Sequence, residues 1–300
     1  IQNDKIDILV DLAGHSGSNR LDIFSHKPAP IQITWIGYPN TTGLPEMDYR
    51  ITDAKVDPLD TEQKFSEKLL RLPDTFLCYT PGPNHPPVNP PPCVKNNYIT
   101  FGSFNNFAKI NPFVLELWSR VLLAVPGSHL YMKCKPFSDH AIRNRALHDI
   151  MNYGIKEDRI HLVGHVQDVK HHLSLYSSID ISLDTFPYAG TTTTVESIYM
   201  GVPVITLKGN NHAHNVGVSL LRSVSSISEF IAENEDEFVD KAVALAKDKK
   251  KIINIRNSLR NDLLASCLCD RSRYMSEVTK LYREVWTKYC SESDDSTCLH

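Results

Sequence analysis

Apolar residues gather in seven short runs bounded by turn formers, Ile6–Leu12, Ile31–Gly37, Ile99–Phe104, Leu130–Cys134, Ile160–Val163, Ile179–Leu183 and Val202–Leu207. Most are Val, Ile and Leu with little polar alternation, the pattern of strands covered on both faces. Between the later runs the apolar spacing changes to three and four, which predicts helices over Pro112–Val125, Asp139–Tyr153, Val169–Ser177 and Thr194–Met200. Strand and helix in alternation read as βα units, so the expected fold class is α/β with a doubly wound parallel sheet. Beyond Leu207 the helical spacing dominates, over Glu235–Lys247, Lys250–Ala265 and Arg271–Tyr289. The closing SESDDSTCLH has no apolar face and reads as a flexible tail over 291–300.

Three hundred residues exceed the usual size of one core, so two lobes are expected. Residues 81–92 hold seven prolines, which remove backbone donors and favour an extended, semi-rigid connection. The predicted organisation is therefore the trailing part of a first α/β lobe over 1–80, a linker over 81–95, a second α/β lobe over 96–225 and closing helices over 226–290. No 34-residue self-similarity interrupts it. In two lobes of this kind chemistry belongs in the loops after strands, near their carboxyl ends.

Composition excludes several functions. A hydrophobic share of 41%, a charged share of 22% and a net charge of -3 argue against disorder and against a polyanion-binding surface, so nucleic acid is not an expected partner. No eighteen-residue apolar stretch and no signal peptide are present, which predicts a soluble, intracellular chain without a membrane partner. Seven cysteines form an odd, scattered set with no CxxC, as expected of free thiols in a reducing compartment. The start at Ile1, directly before a strand-like run, predicts a piece of a longer protein.

The most informative loop follows Ile179–Leu183 and runs from Asp184 to Ser197 as DTFPYAGTTTTVES. Four threonines after Gly190, where strand gives way to helix, put hydroxyls and unpaired N–H groups together. A helix start of this kind binds a diphosphate without a metal, and Glu196 in its first turn is suited to accept both hydroxyls of a ribose. An ordinary helix cap with solvated threonines fits the same residues. The loop after Ile99–Phe104 carries Asn106 and Lys109 before Pro112 opens a helix. In a parallel sheet Lys109 reaches the same edge as the threonine loop, where it would neutralise a departing diphosphate, although a loop lysine alone is commonly just solvated. His212 and His214, two apart, cannot share a helical face as a zinc pair, which leaves hydrogen bonding around a nucleotide or sugar, with Asn215 beside them. His171 and His172 open a helix after Ile160–Val163, where one of them would stack on a base or both would be hydrated. Earlier, the loops containing His15 and the Thr41-Thr42 pair follow predicted strands and are assigned to the acceptor side, or else simply provide tight turns. No D-x-D triplet, GxGxxG or Walker A loop exists, so neither a metal nor a dinucleotide cofactor is expected.

Taken together, KPAP (27–30), ITWIGYPNTTGLPEMDYRITD (33–53), FGSFNNFAKI (101–110), CKPF (134–137), DISLDTFPYAGTTTTVES (180–197) and HAHNVGVSLL (212–221) resemble the O-GlcNAc transferase family of GT-B glycosyltransferases, and within it the SPINDLY-type protein O-fucosyltransferases. The resemblance covers about residues 4–290. It implies two Rossmann-like lobes, the first incomplete here, with a closing helical segment. It also implies inverting transfer of fucose from GDP-fucose to Ser or Thr of nuclear and cytosolic proteins; UDP-GlcNAc as donor, or a binding fragment without catalysis, are the alternatives. By resemblance Lys109 is the catalytic lysine at the donor diphosphate, Thr192 and Thr193 bind phosphate, Glu196 binds ribose and His172 lies beside the base. The O-GlcNAc transferases proper carry a cysteine and a histidine where this chain has Tyr188 and Thr191, which favours the fucosyl branch. Missing by the same resemblance are a tetratricopeptide superhelix and the opening half of the acceptor lobe.

Overall fold

A computed structural model describes residues 1–83 and 85–297, with side chains as far as Glu292. The described residues form two compact units, one made of Ile1–Cys78, Asn210–Ala213 and the chain from Cys267 onward, the other of Tyr79–Gly209 and His214–Ser266.

The first unit opens with β1 (Ile8–Asp11), the short helix α1 (Leu21–Phe24), β2 (Ile31–Thr34), β3 (Tyr49–Asp53) and β4 (Lys68–Leu72). Its strands form one sheet in the order β1-β2-β3-β4, and every pair is parallel. The strands β3 and β4 are additions to the sequence reading. Tyr49-Arg50-Ile51-Thr52-Asp53 looks too polar for a buried strand, yet Arg50, Thr52 and Asp53 are at most 1% exposed. Most of their polar groups, the Arg50 Nε excepted, are met by partners inside the unit, so hydropathy alone does not find the strand.

The second unit begins with β5 (Thr100–Ser103), α2 (Pro112–Ala124), β6 (His129–Lys133), α3 (His140–Met151), β7 (Ile160–Val163) and α4 (Val169–Ser174). It continues with β8 (Ile181–Leu183), α5 (Thr192–Tyr199), β9 (Val204–Leu207), α6 (His212–Ser223), β10 (Ile231–Ala232), α7 (Glu235–Lys247) and α8 (Lys249–Leu264), though the opening residues of α6 group with the first unit. All pairings of its six-stranded sheet, β10-β9-β8-β5-β6-β7, are parallel. The strand β5 is first in the chain but central in the sheet. From it the chain moves out one way through β6 and β7, then returns to build β8, β9 and β10 on the other side, which makes the gap between β5 and β8 a topological switch point.

Burial explains why these segments hold. Trp118 of α2 is fully buried, and its Nε1 donates to the Asp184 carbonyl at 3.2 Å. Arg256 of α8 is also buried and donates to the carbonyls of Tyr176, Met200 and Ile179, at chain reversals that have no ladder partner for those oxygens. Burial holds its pKa down at about 10, with nearby Asp180 acting in the opposite direction.

The last helix, α9 (Arg271–Thr297), belongs to the first unit. Tyr274, Val278, Leu281 and Val285, spaced four, three and four, pack on Ile31, Ile33, Ile51 and Leu72, while Leu21, Phe24 and Met47 form a separate cluster with Leu9 and Leu44. Each buried aliphatic side chain on that stripe contributes roughly 1.5–3 kcal/mol. The tail expected from residue 291 is helical as far as Thr297 instead; 298–300 lie outside the described residues. A helix nucleated by its packed turns propagates one hydrogen bond per residue, and the Lys288–Glu292 pair at 3.8 Å supports the extension.

Candidate functional site

The loops flanking the switch point of the second unit are the two that carry Lys109 and the threonines. After β5, Asn106 caps the short 3-10 turn Phe107–Lys109 by accepting from the Ala108 N–H at 3.1 Å, and Asn111 caps α2 by accepting from the Val114 N–H at 3.1 Å. These two caps fix the turn that presents Lys109. After β8, Asp184 organises the second loop. Its Oδ1 accepts the N–H groups of Thr185 at 2.9 Å and Gly190 at 2.8 Å, while Oδ2 accepts the Thr206 hydroxyl at 2.9 Å. A Cβ on Gly190 would sit 2.5 Å from the Thr194 hydroxyl and 2.6 Å from that of Thr193, so only glycine lets the chain pass this close under the helix start.

The loops are laced to each other. Lys109 Nζ donates to the Ala189 carbonyl at 2.9 Å and lies 3.8 Å from the centroid of the Tyr188 ring. Asn111 donates to the Phe186 carbonyl at 2.8 Å, and the Thr193 hydroxyl donates to Asn105 Oδ1 at 2.9 Å. Burial lowers the pKa of Lys109, with Asp184 opposing, whereas burial raises that of Asp184 against its hydrogen bonds and Lys109. At the head of α5, Thr191 makes no side-chain cap, so the positive end of the helix dipole is left without one in the loop whose Ala189 carbonyl takes Lys109. An ammonium group and an uncapped helix start meeting at one edge make a receptor for a compact anion.

One turn into α5, Glu196 Oε2 lies 3.0 Å from His172 Nε2 and 3.5 Å from the Tyr176 hydroxyl, which also donates to the Thr193 carbonyl at 3.1 Å. Burial, then the Glu196 carboxylate, raises the Tyr176 pKa well above its ordinary value and keeps it a donor. His172 Nδ1 in turn meets Lys133 Nζ at 2.6 Å. The structure thus gathers Lys109, Tyr188, Gly190, Thr191, Thr192, Thr193, Glu196 and His172 along the carboxyl edge of β8, β5, β6 and β7. It adds Asn105, Tyr176, Lys133 and Asp184, whose roles were not read from sequence. Lys133 did leave a signal there, as the one lysine of a short strand that is buried at alternate positions.

Other expected residues are engaged differently. His214 packs parallel to Phe186 at 5.9 Å, and burial lowers its pKa; Asn215 Oδ1 accepts the Gly209 N–H at 3.0 Å, closing the turn after β9. His212, expected at a nucleotide or sugar, is placed apart from that edge. It lies in the first unit, 1% exposed, with Nδ1 2.7 Å from Asp57 Oδ2 and Nε2 3.4 Å from Arg50. Arg50 can only donate, so the ring is a neutral imidazole that donates to Asp57 from Nδ1; burial, the largest influence, lowers its pKa. In the same unit Arg50 donates to the carbonyls of Asn40 at 2.6 Å and Tyr38 at 2.9 Å, and His15 Nε2 meets the Thr42 carbonyl at 2.7 Å. The hydroxyls of Thr41 and Thr42 both donate to Glu67. His15, Thr41 and Thr42 therefore shape one loop at the carboxyl end of β2.

Among the described residues no group of three or more His, Cys, Asp and Glu is placed to hold a metal ion, and no helix is long and apolar enough to cross a membrane.

The family model for glycosyl transferase family 41 matches residues 1–80 and 93–278. A Petunia hybrida protein described as a probable UDP-N-acetylglucosamine–peptide N-acetylglucosaminyltransferase SPINDLY is 52% identical over 290 residues, which is 97% of this chain and 31% of that protein. The Arabidopsis thaliana protein of the same description is also 52% identical, over 97% of this chain and 32% of its own length. The Arabidopsis thaliana SEC protein, described as a probable transferase of the same kind, is 31% identical over 97% of this chain and 30% of its own. The chain thus spans about a third of the length of these relatives. Among solved structures, an O-GlcNAc transferase mutant from Thermobaculum terrenum superposes with a TM-score of 0.91 at 34% identity, over 97% of this chain and 55% of that one. Two parallel α/β sheets with a helical C-terminal segment are the GT-B fold, and the chain belongs to glycosyl transferase family 41.

Proposed function

We propose that the protein carrying this chain transfers fucose from GDP-fucose to Ser or Thr hydroxyls of nuclear and cytosolic proteins, with inversion and without a resident metal. The observation that carries the reading is Lys109 Nζ, 2.9 Å from the Ala189 carbonyl, beside the uncapped start of α5. A donor diphosphate on those N–H groups lies within reach of the ammonium. As the acceptor oxygen attacks the anomeric carbon and the bond to the diphosphate breaks, negative charge grows on the leaving oxygen, where the lysine and helix dipole are already oriented. Glu196 meets the ribose hydroxyls, and the His172 ring lies where a base would stack.

Fucose as the sugar is supported by Tyr188 and Thr191, which depart from the O-GlcNAc transferase pattern at the donor loop. The second reading, UDP-GlcNAc, is favoured by the descriptions of the plant relatives. Incubating the complete protein and protein acceptors with each sugar-labelled donor separates the two. Label transferred from GDP-fucose supports the proposal, and label from UDP-GlcNAc alone replaces the donor. No transfer from either, with GDP still bound, reduces the chain to a nucleotide-binding module.

A further inference from the structure

Lys133 has no part in the reading above, yet it ends a line of three charged or polar groups within the second unit. It is the last residue of β6, half-buried, with Nζ 2.6 Å from His172 Nδ1; His172 Nε2 is 3.0 Å from Glu196 Oε2. The three come from different elements, a strand end, α4 and α5, and both His172 and Glu196 side chains are under one-fifth exposed.

The chemistry of the donors fixes where the protons are. An ammonium group has no lone pair, so at 2.6 Å Lys133 donates and His172 Nδ1 accepts. The ring proton of the neutral imidazole then resides on Nε2, which donates to the Glu196 carboxylate. We propose that Lys133 is a positioning residue for donor binding, setting the Nε2–H tautomer of His172 and through it the orientation of the Glu196 carboxylate. The inference rests on the assignment of Glu196 to the ribose, which it deepens.

The line has consequences for recognition. With both ring nitrogens occupied, His172 can offer an incoming base only its face. With Oε2 of Glu196 held by the ring, Oε1 is the atom that meets a sugar hydroxyl. The groups facing the imidazole are Lys133 from β6, Glu196 from α5, the Tyr176 ring at 6.0 Å and the Phe104 ring at 5.8 Å, so Lys133 is the cation beside the ring nitrogens and Glu196 the carboxylate. Burial, the largest influence, lowers the Lys133 pKa, with the Glu196 carboxylate acting in the opposite direction. Removing the ammonium frees Nδ1 to take the proton. The Nδ1–H tautomer leaves a lone pair on Nε2 facing the carboxylate, and Glu196 swings away.

The test is the tautomer of His172 in 15N-histidine-labelled protein, read from long-range 1H–15N correlations and assigned by the signals lost in His172→Gln. The expected result is Nε2–H in the unmodified chain and in Lys133→Arg, which keeps a cationic donor, with loss of the fixed tautomer in Lys133→Met. GDP and UDP affinities, measured calorimetrically, are expected to fall about tenfold in Lys133→Met, the scale of a lost charged hydrogen bond, and to be regained in Lys133→Arg. An Nδ1–H tautomer in the unmodified protein overturns the proposal without any variant, and so does a Lys133→Met protein that keeps both tautomer and affinity. Glu196→Ala separates the two levels. If that change leaves nucleotide affinity intact, the ribose assignment is what fails, whatever the tautomer shows.

Discussion

Lys109 carries opposite demands. Burial disfavours its charge, and the partners it has at rest are one carbonyl and an aromatic face, not a carboxylate in direct contact. An ammonium ion with no carboxylate in direct contact gains most when a full negative charge appears next to it, as would happen when the sugar bond breaks. Interactions stronger in the transition state than in the ground state lower turnover more than affinity when removed. Lys109→Ala in the complete protein is therefore expected to cut turnover at saturating donor by about a hundredfold, the scale of one pre-organised electrostatic donor, with donor affinity changed far less. Normal turnover with weakened binding would leave Lys109 a binding residue only. Glu196 differs, because the ribose contact proposed for its carboxylate forms before any bond breaks. Glu196→Ala is expected to weaken GDP binding by about 1–3 kcal/mol in a folded protein, read by calorimetry. At this scale the sequence was legible in placement, since a lysine and a glutamate expected beside one helix start do lie there. The surroundings of His212 were not legible, because nothing in a run of residues 210–218 reports that Asp57 and Arg50, more than 150 residues earlier, close around the ring.

The element that makes the site is α5. Its start is built from below by Asp184, whose two oxygens hold Thr185, Gly190 and Thr206, and it is left uncapped by Thr191 above. Four N–H groups begin every helix without an internal partner, so an uncapped start facing a lysine is already an anion site, and a divalent ion would add charge where charge is supplied. Addition of EDTA is accordingly expected to leave GDP affinity unchanged in titrations; a tenfold loss, about 1.4 kcal/mol, would assign the metal a role. The βα order around α5 was readable because buried parallel strands are uniformly apolar and their helices keep a different period. The strands β3 and β4 were not, because Arg50, Thr52, Asp53, Lys68 and Arg71 break the apolar pattern, and the carbonyls that Arg50 and Arg71 donate to lie in the preceding loops, outside the strands themselves.

At the scale of the molecule, the units are discontinuous. Residues 210–213 and those after Cys267 group with the first sheet although the second unit lies between them in the chain, and local periodicity has no means of showing that. What remains is how function divides between this chain and the protein that carries it, since the chain spans about a third of its curated relatives. The residues assigned here to the donor, from Lys109 to Glu196, lie in the second unit, and Lys109, His172, Gly190 and Glu196 are held by hydrogen bonds inside that unit. Donor binding is thus a property that the chain should retain alone. Transfer needs more, because an acceptor hydroxyl must be held within reach of the anomeric carbon, and orientation of that kind accounts for about 7–11 kcal/mol of a barrier in well-aligned reactions. The resemblance to SPINDLY-type transferases assigns acceptor selection to parts outside these 300 residues. The expected outcome is a GDP dissociation constant for this chain within about threefold of that for the complete protein, a difference below 1 kcal/mol, together with fucose transfer by the complete protein alone. Transfer by the chain at a comparable rate would place acceptor positioning within it, and failure of the folded chain to bind GDP would remove the donor site from the second unit.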